Sequence, residues 1–472
     1  METIGKESSE YCQSPQDVQS LNNCRAIAVH RQSILIQLVK PLQFVRNLAL
    51  CGVLALPPLL YGERPNFLVI HLDDLGWTDL GCYGHPVHET PHIDQLAKDG
   101  MRFTHAYAAA PICSPSRVAA IFGQYPARLN TTGQPSYLQD DQSNRALLHP
   151  PFATTVAHDT PNLFVELQDA GYDSILLGKW GLTEKADIFG IRHFPGKDEA
   201  ITDEAIRFLK SGPEKPFFLH INFTWPHIPL KPNPELRAKY EKQLENTNFN
   251  PDYAAIVEQI DTATGKILDA LNAGGESEDT VVIFLSDNGG FLGWPDDRVT
   301  FNEPLRDGKA SLYEGGIRVP MIVRWPGKIA AGSVNDQITI AHLDLYPTLL
   351  DLAGLSALSQ SLDGINLIEV LLNNREVPSP TRFWHWPHYR RSFGGLNASP
   401  TSALRSGDWK LIHFYETGRH ELYNLAKDPG ERNDLSQSHS KIAGMLAIEL
   451  ENWKREVGAQ LPIPNPAFHN HR

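Results

Sequence analysis

Cysteine is scarce and one-sided in this chain. The five residues are Cys12, Cys24, Cys51, Cys82 and Cys113, with none in the long remainder of the 472 residues. Disulfides therefore do not hold the fold together, and a large apolar core must do so. Positive charge is also in deficit, with 42 Lys and Arg against 55 Asp and Glu and a formal charge of −13. No basic surplus exists to neutralise a phosphate backbone, which argues against nucleic acid as a partner. Any anionic ligand must be met by local positive charge. Long apolar runs are missing too. The stretch Leu48–Tyr61 holds about a dozen apolar residues, short for a stable membrane span.

That stretch follows Val45-Arg46-Asn47. One positive charge ahead of a short apolar run has the shape of a secretory signal, here over residues 45–61, and predicts export to a periplasm or the outside. The real start then lies near Val45, with residues 1–44 upstream of it. A tethering apolar segment or a buried strand are the other readings. At 41% apolar and 21% charged, the remainder has the composition of an ordinary soluble protein. Its length suits one large domain with a smaller companion. The expected division is a leader over 1–62, a large domain over 63–375 and a small one over 376–472.

Residues 111–123, Pro-Ile-Cys-Ser-Pro-Ser-Arg-Val-Ala-Ala-Ile-Phe-Gly, turn from polar to apolar just after a cysteine. Pro115 suits the first turn of a helix, and Val118, Ala119 and Ile121 fit its inner face. Cys113 would then lie at the positive end of that helix with Arg117 one turn on, a place to hold an anion. A lone cysteine is otherwise a small buried hydrophobe.

Four apolar runs end in polar residues with chemical potential. Asn66–Leu72 ends in Asp73-Asp74, Tyr172–Leu177 in Gly178-Lys179, Phe217–Phe223 in Thr224-Trp225-Pro226-His227, and Val281–Ser286 in Asp287-Asn288-Gly289-Gly290. Continuous apolar runs of this length fit strands buried on both faces of a parallel sheet. Ligands bind outside the carboxyl ends of such strands, so Asp73, Asp74, Lys179, His227, Asp287 and Asn288 are expected on one rim. Adjacent carboxylates repel, and a hard cation is the usual remedy. Singly, each residue has a plainer reading: a helix cap, a snorkelling lysine, a loop histidine, an Asx turn. Helices are expected over Thr90–Gly100, capped by Thr90, and within 161–170 and 201–209. Residues 130–160, rich in Gln, Asp, Ser, Thr and Pro, read as a surface excursion.

The string Cys113-Ser114-Pro115-Ser116-Arg117 resembles the signature of the type I sulfatases. Leu72-Asp73-Asp74-Leu75-Gly76, Thr90-Pro91-His92-Ile93-Asp94, Ser286–Gly290, Gly308-Lys309 ahead of Glu314-Gly315-Gly316, and Asp344–Leu350 are similar to family motifs in order and spacing. So are Trp409–Ile412 and Glu421–Leu425 with Asp428-Pro429, and the resemblance spans roughly residues 64–455. It implies an α/β fold of the alkaline-phosphatase superfamily: a central, mostly parallel sheet sandwiched by helices, with a small C-terminal antiparallel sheet. It implies that Cys113 is oxidised to formylglycine by a formylglycine-generating enzyme acting on residues 113–117. Asp73, Asp74, Asp287 and Asn288 would hold calcium, or magnesium, together with that residue. The oxygen donors agree with a hard cation. One hydroxyl of the hydrated aldehyde would attack the sulfur of a sulfated carbohydrate or aryl sulfate. His227 would protonate the leaving alcohol, Lys179 and Lys309 would hold the sulfate oxygens, and Arg117 would steady the formylglycine.

Two positions depart from the pattern. Gly181 follows Lys179-Trp180 where the family usually has histidine, leaving His85, His193 or a water to replace it. Phe122-Gly123-Gln124 stands where Thr-Gly-Arg is frequent. The alternatives are a formylglycine-dependent phosphodiesterase or phosphonate-monoester hydrolase, and a catalytically weak protein that binds sulfated glycans. The aromatic run Phe383–Tyr389 is either a core strand or a sugar-stacking wall, with Arg390 and Arg391 supplying charge. N-terminal sequencing of the native exported protein is expected to find residues 1–44 gone, and their retention would contradict the signal reading.

Overall fold

Alternation in the first apolar run sets the architecture. Every residue of Asn66–Leu72 (β1) is buried; Phe67 and Val69 enter one apolar layer, and Leu68, Ile70 and Leu72 enter the other. A strand covered on both faces belongs inside a sheet flanked by helices. The computed structural model describes residues 64–294, 297–355, 362–373, 375, 377–389 and 399–468. The signal-like segment 45–61 and Arg390–Arg391 lie outside the described residues.

The central sheet contains β1 with β2 (Met101–Phe103), β3 (Asp173–Gly178), β4 (His193–Phe194), β5 (Phe217–Asn222), β6 (Thr280–Ser286), β7 (Met321–Arg324) and β8 (Ser333–Asn335), in the order β8-β2-β7-β6-β1-β5-β3-β4. Only β7 runs against the rest. The four strands expected from the sequence are β6, β1, β5 and β3, contiguous and parallel. Their carboxyl ends therefore share one rim.

Helices α1 (Pro91–Asp99), α4 (Asp198–Lys210) and α5 (Pro251–Ala273) cover the face of Leu68 and Ile70, with Ile93, Ile201 and Ile260 turned inward. Helices α2 (Cys113–Phe122), α3 (Leu163–Asp169) and α6 (Leu345–Leu352) cover the face of Phe67 and Val69. Two local expectations change. All of α2 except Ser114 is buried, so it is enclosed on every side instead of presenting one apolar face. Thr90 does not cap α1 through its side chain. Its Oγ1 accepts from the Gly81 amide at 2.9 Å, while Asp261 of α5 accepts from the amides of His92 and Ile93 at 3.2 and 2.8 Å. A carboxylate at the positive end of a helix serves as well as a local cap.

A second sheet, antiparallel, holds β9 (Arg382–Trp386), β10 (Thr401–Ser406), β11 (Trp409–Phe414) and β12 (His420–Asn424) in sequence order. Leu404, Leu411 and Leu422 face α7 (Ser440–Glu456) through Leu446, Leu450 and Trp453. The opposite face packs Trp384, Trp386 and Ile412 on Tyr107, Ile112 and Ile317 of the larger body. A buried charge cluster locks this contact: Lys410 Nζ lies 2.9 Å from Glu314 and 2.8 Å from Glu431. Asp344 accepts from Arg382 at 2.5 Å. The sugar-stacking wall is thereby corrected. Trp386 and His388 are each 1% exposed, and His388 Nε2 bonds Thr132 Oγ1 at 3.0 Å. Trp384, His385, Trp386 and His388 are core, with Phe383 and Tyr389 half-buried.

Three histidines, His71, His220 and His342, are buried beneath α2. The first two stack with centroids 5.5 Å apart, and His342 packs edge-on to His71. Burial, and then the nearby Arg117 charge among others, holds all three below the ordinary imidazole range, His220 and His342 at about 3. Above pH 6.5 both folded and unfolded chains carry them neutral. Below it the unfolded chain takes up protons the folded one refuses. Stability should fall as pH drops from about 6.5 toward 3, by up to about 1.4 kcal/mol per pH unit for each histidine. Urea midpoints over that range check this. His220→Phe, beside Phe164 and Phe218, should flatten the slope by about one proton, and an unchanged slope would contradict the account.

Candidate active site

Each parallel strand end delivers a polar residue to the rim. Asp73 and Asp74 follow β1, Lys179 follows β3, His227 stands five residues beyond β5, and Asp287 and Asn288 follow β6. Helix α2 points its first residue, Cys113, into the same space. Lys309 arrives on a loop pinned by two backbone bonds, Ala310 N–H to Pro111 O at 2.8 Å and Lys309 N–H to Gly290 O at 3.1 Å.

The loops can approach this closely because glycines face each other. A Cβ on Gly289 would lie 1.8 Å from Gly315 O, inside any allowed contact, while Gly289 N–H donates to Gly316 O at 3.0 Å. Asp74 adopts a left-handed backbone at φ 71°, costly for a residue with a Cβ. Its amide donates to Asp287 Oδ1 at 3.1 Å, which fixes it there.

Arg117 is buried and forked through the centre. Its Nε donates to Asp287 Oδ2 at 2.8 Å, and Nη2 donates to Leu72 O at 3.0 Å and Phe223 O at 3.2 Å, with Asp73 at 3.9 Å. Lys179 pairs with Asp73, and Lys309 lies 2.7 Å from Asp74. Burial alone would raise the Asp73 carboxyl, but Lys179 and Arg117 hold it below the usual range. Burial and the Asp73 charge push Asp287 up. Burial works against charge on both lysines, and Asp73 and Asp74 outweigh it, so both sit above their ordinary values. His227 Nδ1 is 2.6 Å from Ile228 O and must donate, because a carbonyl only accepts. That leaves Nε2 facing Asp74 at 3.7 Å.

Several polar atoms here are unspent. Asp73 Oδ1, Asn288 Oδ1 and Arg117 Nη1 are buried without partners among the described residues. Asn288 Nδ2 donates to Asp74 at 2.8 Å and Gly289 O at 2.9 Å, which orients the amide and leaves its oxygen free. Ligand atoms of Asp73, Asp74, Cys113 and His227 lie within 4.8 Å of one another. Buried oxygens with open lone pairs fit a hard cation. Asp287 already accepts from Arg117 and the Asp74 amide, but a carboxylate oxygen has a second lone pair to give. Cys113 is fully buried, and burial first, then the Asp73 charge, pushes its thiol up to about 12 against the pull of Lys179 and Lys309.

Sequence reasoning missed the pocket's outer wall. Gln134, Ser136 and Tyr137 join Asp74, His227 and Lys309 around a cavity of about 170 Å3. The excursion at 130–160 is thus partly a wall of the site, and Gln134 Nε2 lies 3.8 Å from Cys113 Sγ. Irregular burial in a polar segment leaves no periodic signal to find. The two histidines offered as substitutes at Gly181 are engaged elsewhere. His193 Nε2 bonds Gly178 O at 2.8 Å, and His85 Nδ1 accepts from the His88 amide at 3.0 Å while its ring stacks on His88.

Arg117→Ala would strip Asp287 Oδ2 and Phe223 O of this donor and leave the buried Asp287 carboxylate without its guanidinium partner. The expected loss is about 3–5 kcal/mol of stability, measurable by denaturant unfolding. A loss under about 1 kcal/mol would mean that Arg117 does not tie the strand ends.

Comparison with known proteins places this geometry. Residues 65–355 match the family model described as Sulfatase, and residues 307–456 match that described as N-sulphoglucosamine sulphohydrolase, C-terminal. A Sulfatase of Formosa agariphila is 30% identical, covering 83% of this chain and 88% of that protein. The N-acetylgalactosamine-6-sulfatase of Homo sapiens is 29% identical, covering 82% and 84%. The crystal structure of Ps i-CgsB in complex with k-i-k-neocarrahexaose superposes with a TM-score of 0.70 at 27% identity, covering 83% of this chain and 93% of that one. The mostly parallel central sheet with its added small antiparallel sheet matches the sulfatase structures, a family within the alkaline-phosphatase superfamily. The chain belongs to the sulfatases and is a sulfuric ester hydrolase.

Proposed function

We propose that the chain removes sulfate from a sulfated carbohydrate through Cys113 after its oxidation to formylglycine, beside a hard cation held by Asp73, Asp74, Asp287 and Asn288. The state of Cys113 carries this reading. The side chain sits at the focus of the site, yet burial pushes its thiol up to about 12, so it is no thiolate at neutral pH. A precursor fits that position better than a working thiol. Being fully buried, Cys113 is open to a formylglycine-generating enzyme acting on residues 113–117 only before the chain folds.

When bound, calcium or magnesium supplies the positive charge that three crowded carboxylates and the unspent Asn288 oxygen call for. The hydrated aldehyde supplies a hydroxyl for displacement at sulfur. The remaining work belongs to the protein's own groups. Lys179 and Lys309, kept charged by Asp73 and Asp74, bind the sulfate oxygens as charge develops on them. Arg117 offers its free Nη1 to the residue derived from Cys113. His227, its Nδ1–H anchored on Ile228 O, presents Nε2 to the pocket and, acting as the imidazolium, passes the Nε2 proton to the departing alcohol oxygen. Relatives named N-acetylgalactosamine-6-sulfatase and the carrahexaose complex support a carbohydrate as the leaving group. The signal-like segment 45–61 supports export, and no described helix is long and apolar enough to cross a membrane.

Mass spectrometry of the peptide spanning 111–128, with sulfate release from chondroitin 6-sulfate oligosaccharides, tests the proposal. An aldehyde at position 113 and release abolished by chelation are expected. Turnover with an unmodified thiol, or faster cleavage of an aryl phosphodiester, would overturn it; glycan binding without any release would favour a binding protein. His227→Gln should lower release from sugar sulfates by about 10²–10⁴-fold, the usual range for a lost general acid. Aryl sulfates with activated leaving groups should suffer far less. Equal losses on both would remove His227 from the acid role.

A further inference from the structure

Beside the catalytic pocket lies a polar recess of about 510 Å3 whose lining includes Arg298, Arg306 and Arg432 with Glu303 and Asp307. Arginine elsewhere in the site is bound to carboxylate, as Arg117 is to Asp287. Among the described residues these three pair with no carboxylate. Arg306 lies 3.8 Å over the Tyr313 ring, and its Nη1 donates to Tyr423 Oη at 3.1 Å and Glu431 O at 2.8 Å. Arg298 lies 5.3 Å over Phe301, and Arg298 and Arg432 are exposed. Of the neighbouring acids, Glu431 is buried and paired with Lys410, and Asp307 Oδ1 accepts from the Gly308 amide at 2.8 Å. Glu303 is exposed at the rim.

An adjoining recess of about 550 Å3 shares Arg298 and Arg306 and adds Arg419, which pairs with Glu421. Both recesses are walled by the segments that wall the catalytic pocket. Phe291 and Lys309 face the catalytic pocket, while Leu292 and Asp307 face the arginines. Lys309 lies three positions along the chain from Arg306, at most about 11 Å. In a protein of net charge −13, three guanidinium groups that pair with no carboxylate among the described residues gather here beside three acids, one of which, Glu431, is spent on Lys410. The planar guanidinium fork matches sulfate and carboxylate oxygens.

We propose that these recesses bind the units of a sulfated polysaccharide next to the one being cleaved, with Arg298, Arg306 and Arg432 pairing with anionic groups on the sugars. The substrate is then a chain bearing several charges, and this rests on the sulfatase reading above. The probes are a chondroitin 6-sulfate hexasaccharide, its desulfated form that keeps only carboxylates, a κ-carrageenan hexasaccharide that carries only sulfates, and 4-nitrophenyl sulfate. In the full-length modified protein, Arg298→Ala with Arg432→Ala should raise KM for at least one sulfated hexasaccharide about tenfold, the sum of two exposed charge-assisted contacts. The turnover number on that probe should stay within twofold, and 4-nitrophenyl sulfate kinetics should not change. The salt dependence of hexasaccharide affinity should weaken in the same variant. Loss of affinity for the κ-carrageenan probe assigns the arginines to sulfate, and loss for the desulfated probe assigns them to carboxylate. Equal effects on the hexasaccharides and the aryl sulfate, or no effect on any, would overturn the proposal. Calorimetric binding separates the two readings: a wild type that binds a hexasaccharide without releasing sulfate defeats the hydrolase reading, and a double variant that binds as tightly defeats this one.

Discussion

One guanidinium organises the molecule. Arg117 rises from the second turn of α2 and donates to the carbonyl ending β1, the carbonyl after β5 and the carboxylate after β6. A helix and three parallel strands thus meet on a single planar group with a fixed fork. The cost of burying that charge is met by Asp287 and Asp73, which are themselves buried and would otherwise repel each other. Because α2 is enclosed on every side, it cannot slide to relieve the contact, and Cys113 at its first residue is placed by the same bonds.

The rim is therefore an electrostatic arrangement more than a set of separate residues. Arg117, Lys179 and Lys309 balance Asp73, Asp74 and Asp287, so no member can be changed without uncovering another. Both lysines are held on carboxylates that an arriving cation would also seek. On the proposed reading, an anionic substrate and a cation would be complementary guests: the cation would take the oxygens, and the lysines would be freed for the anion. Partnerless Asp73 Oδ1 and Asn288 Oδ1 mark where that exchange begins.

The sequence made the inner half of the fold readable and the outer half obscure. β1, β3, β5 and β6 could be found because strands buried on both faces are unbroken apolar runs, and the residues after them could be nominated because parallel sheets bind at their carboxyl ends. Long-range pairings left no such trace. Asp261 caps α1 from another helix, Lys410 meets Glu314 and Glu431 only after the small sheet docks, and Gln134 reaches the pocket from a polar segment without periodicity. Trp386 and His388 misled in the other direction, since an aromatic run reads alike as a sugar platform or a core strand. Their burial against Tyr137 and Thr132 decides for the core.

The departure at Gly181 is accommodated by the backbone around it. A Cβ there would lie 3.2 Å from Ser114 O and 3.3 Å from Val118 Cγ2, tighter than ordinary contact on the first turns of α2. The loop after Lys179 thus lies against the helix that carries Cys113, in space a larger residue could enter only by pushing the two apart. On the outer side the polar neighbour of Cys113 is the Gln134 amide, which gives and accepts hydrogen bonds but takes no proton at any ordinary pH. With His85 and His193 engaged away from Cys113, His227 is the one imidazole facing this pocket among the described residues. On the proposed reading, no imidazole other than His227 among the described residues would carry protons in the cleft, and the groups beside Cys113 that could take one are the carboxylates of Asp73 and Asp74.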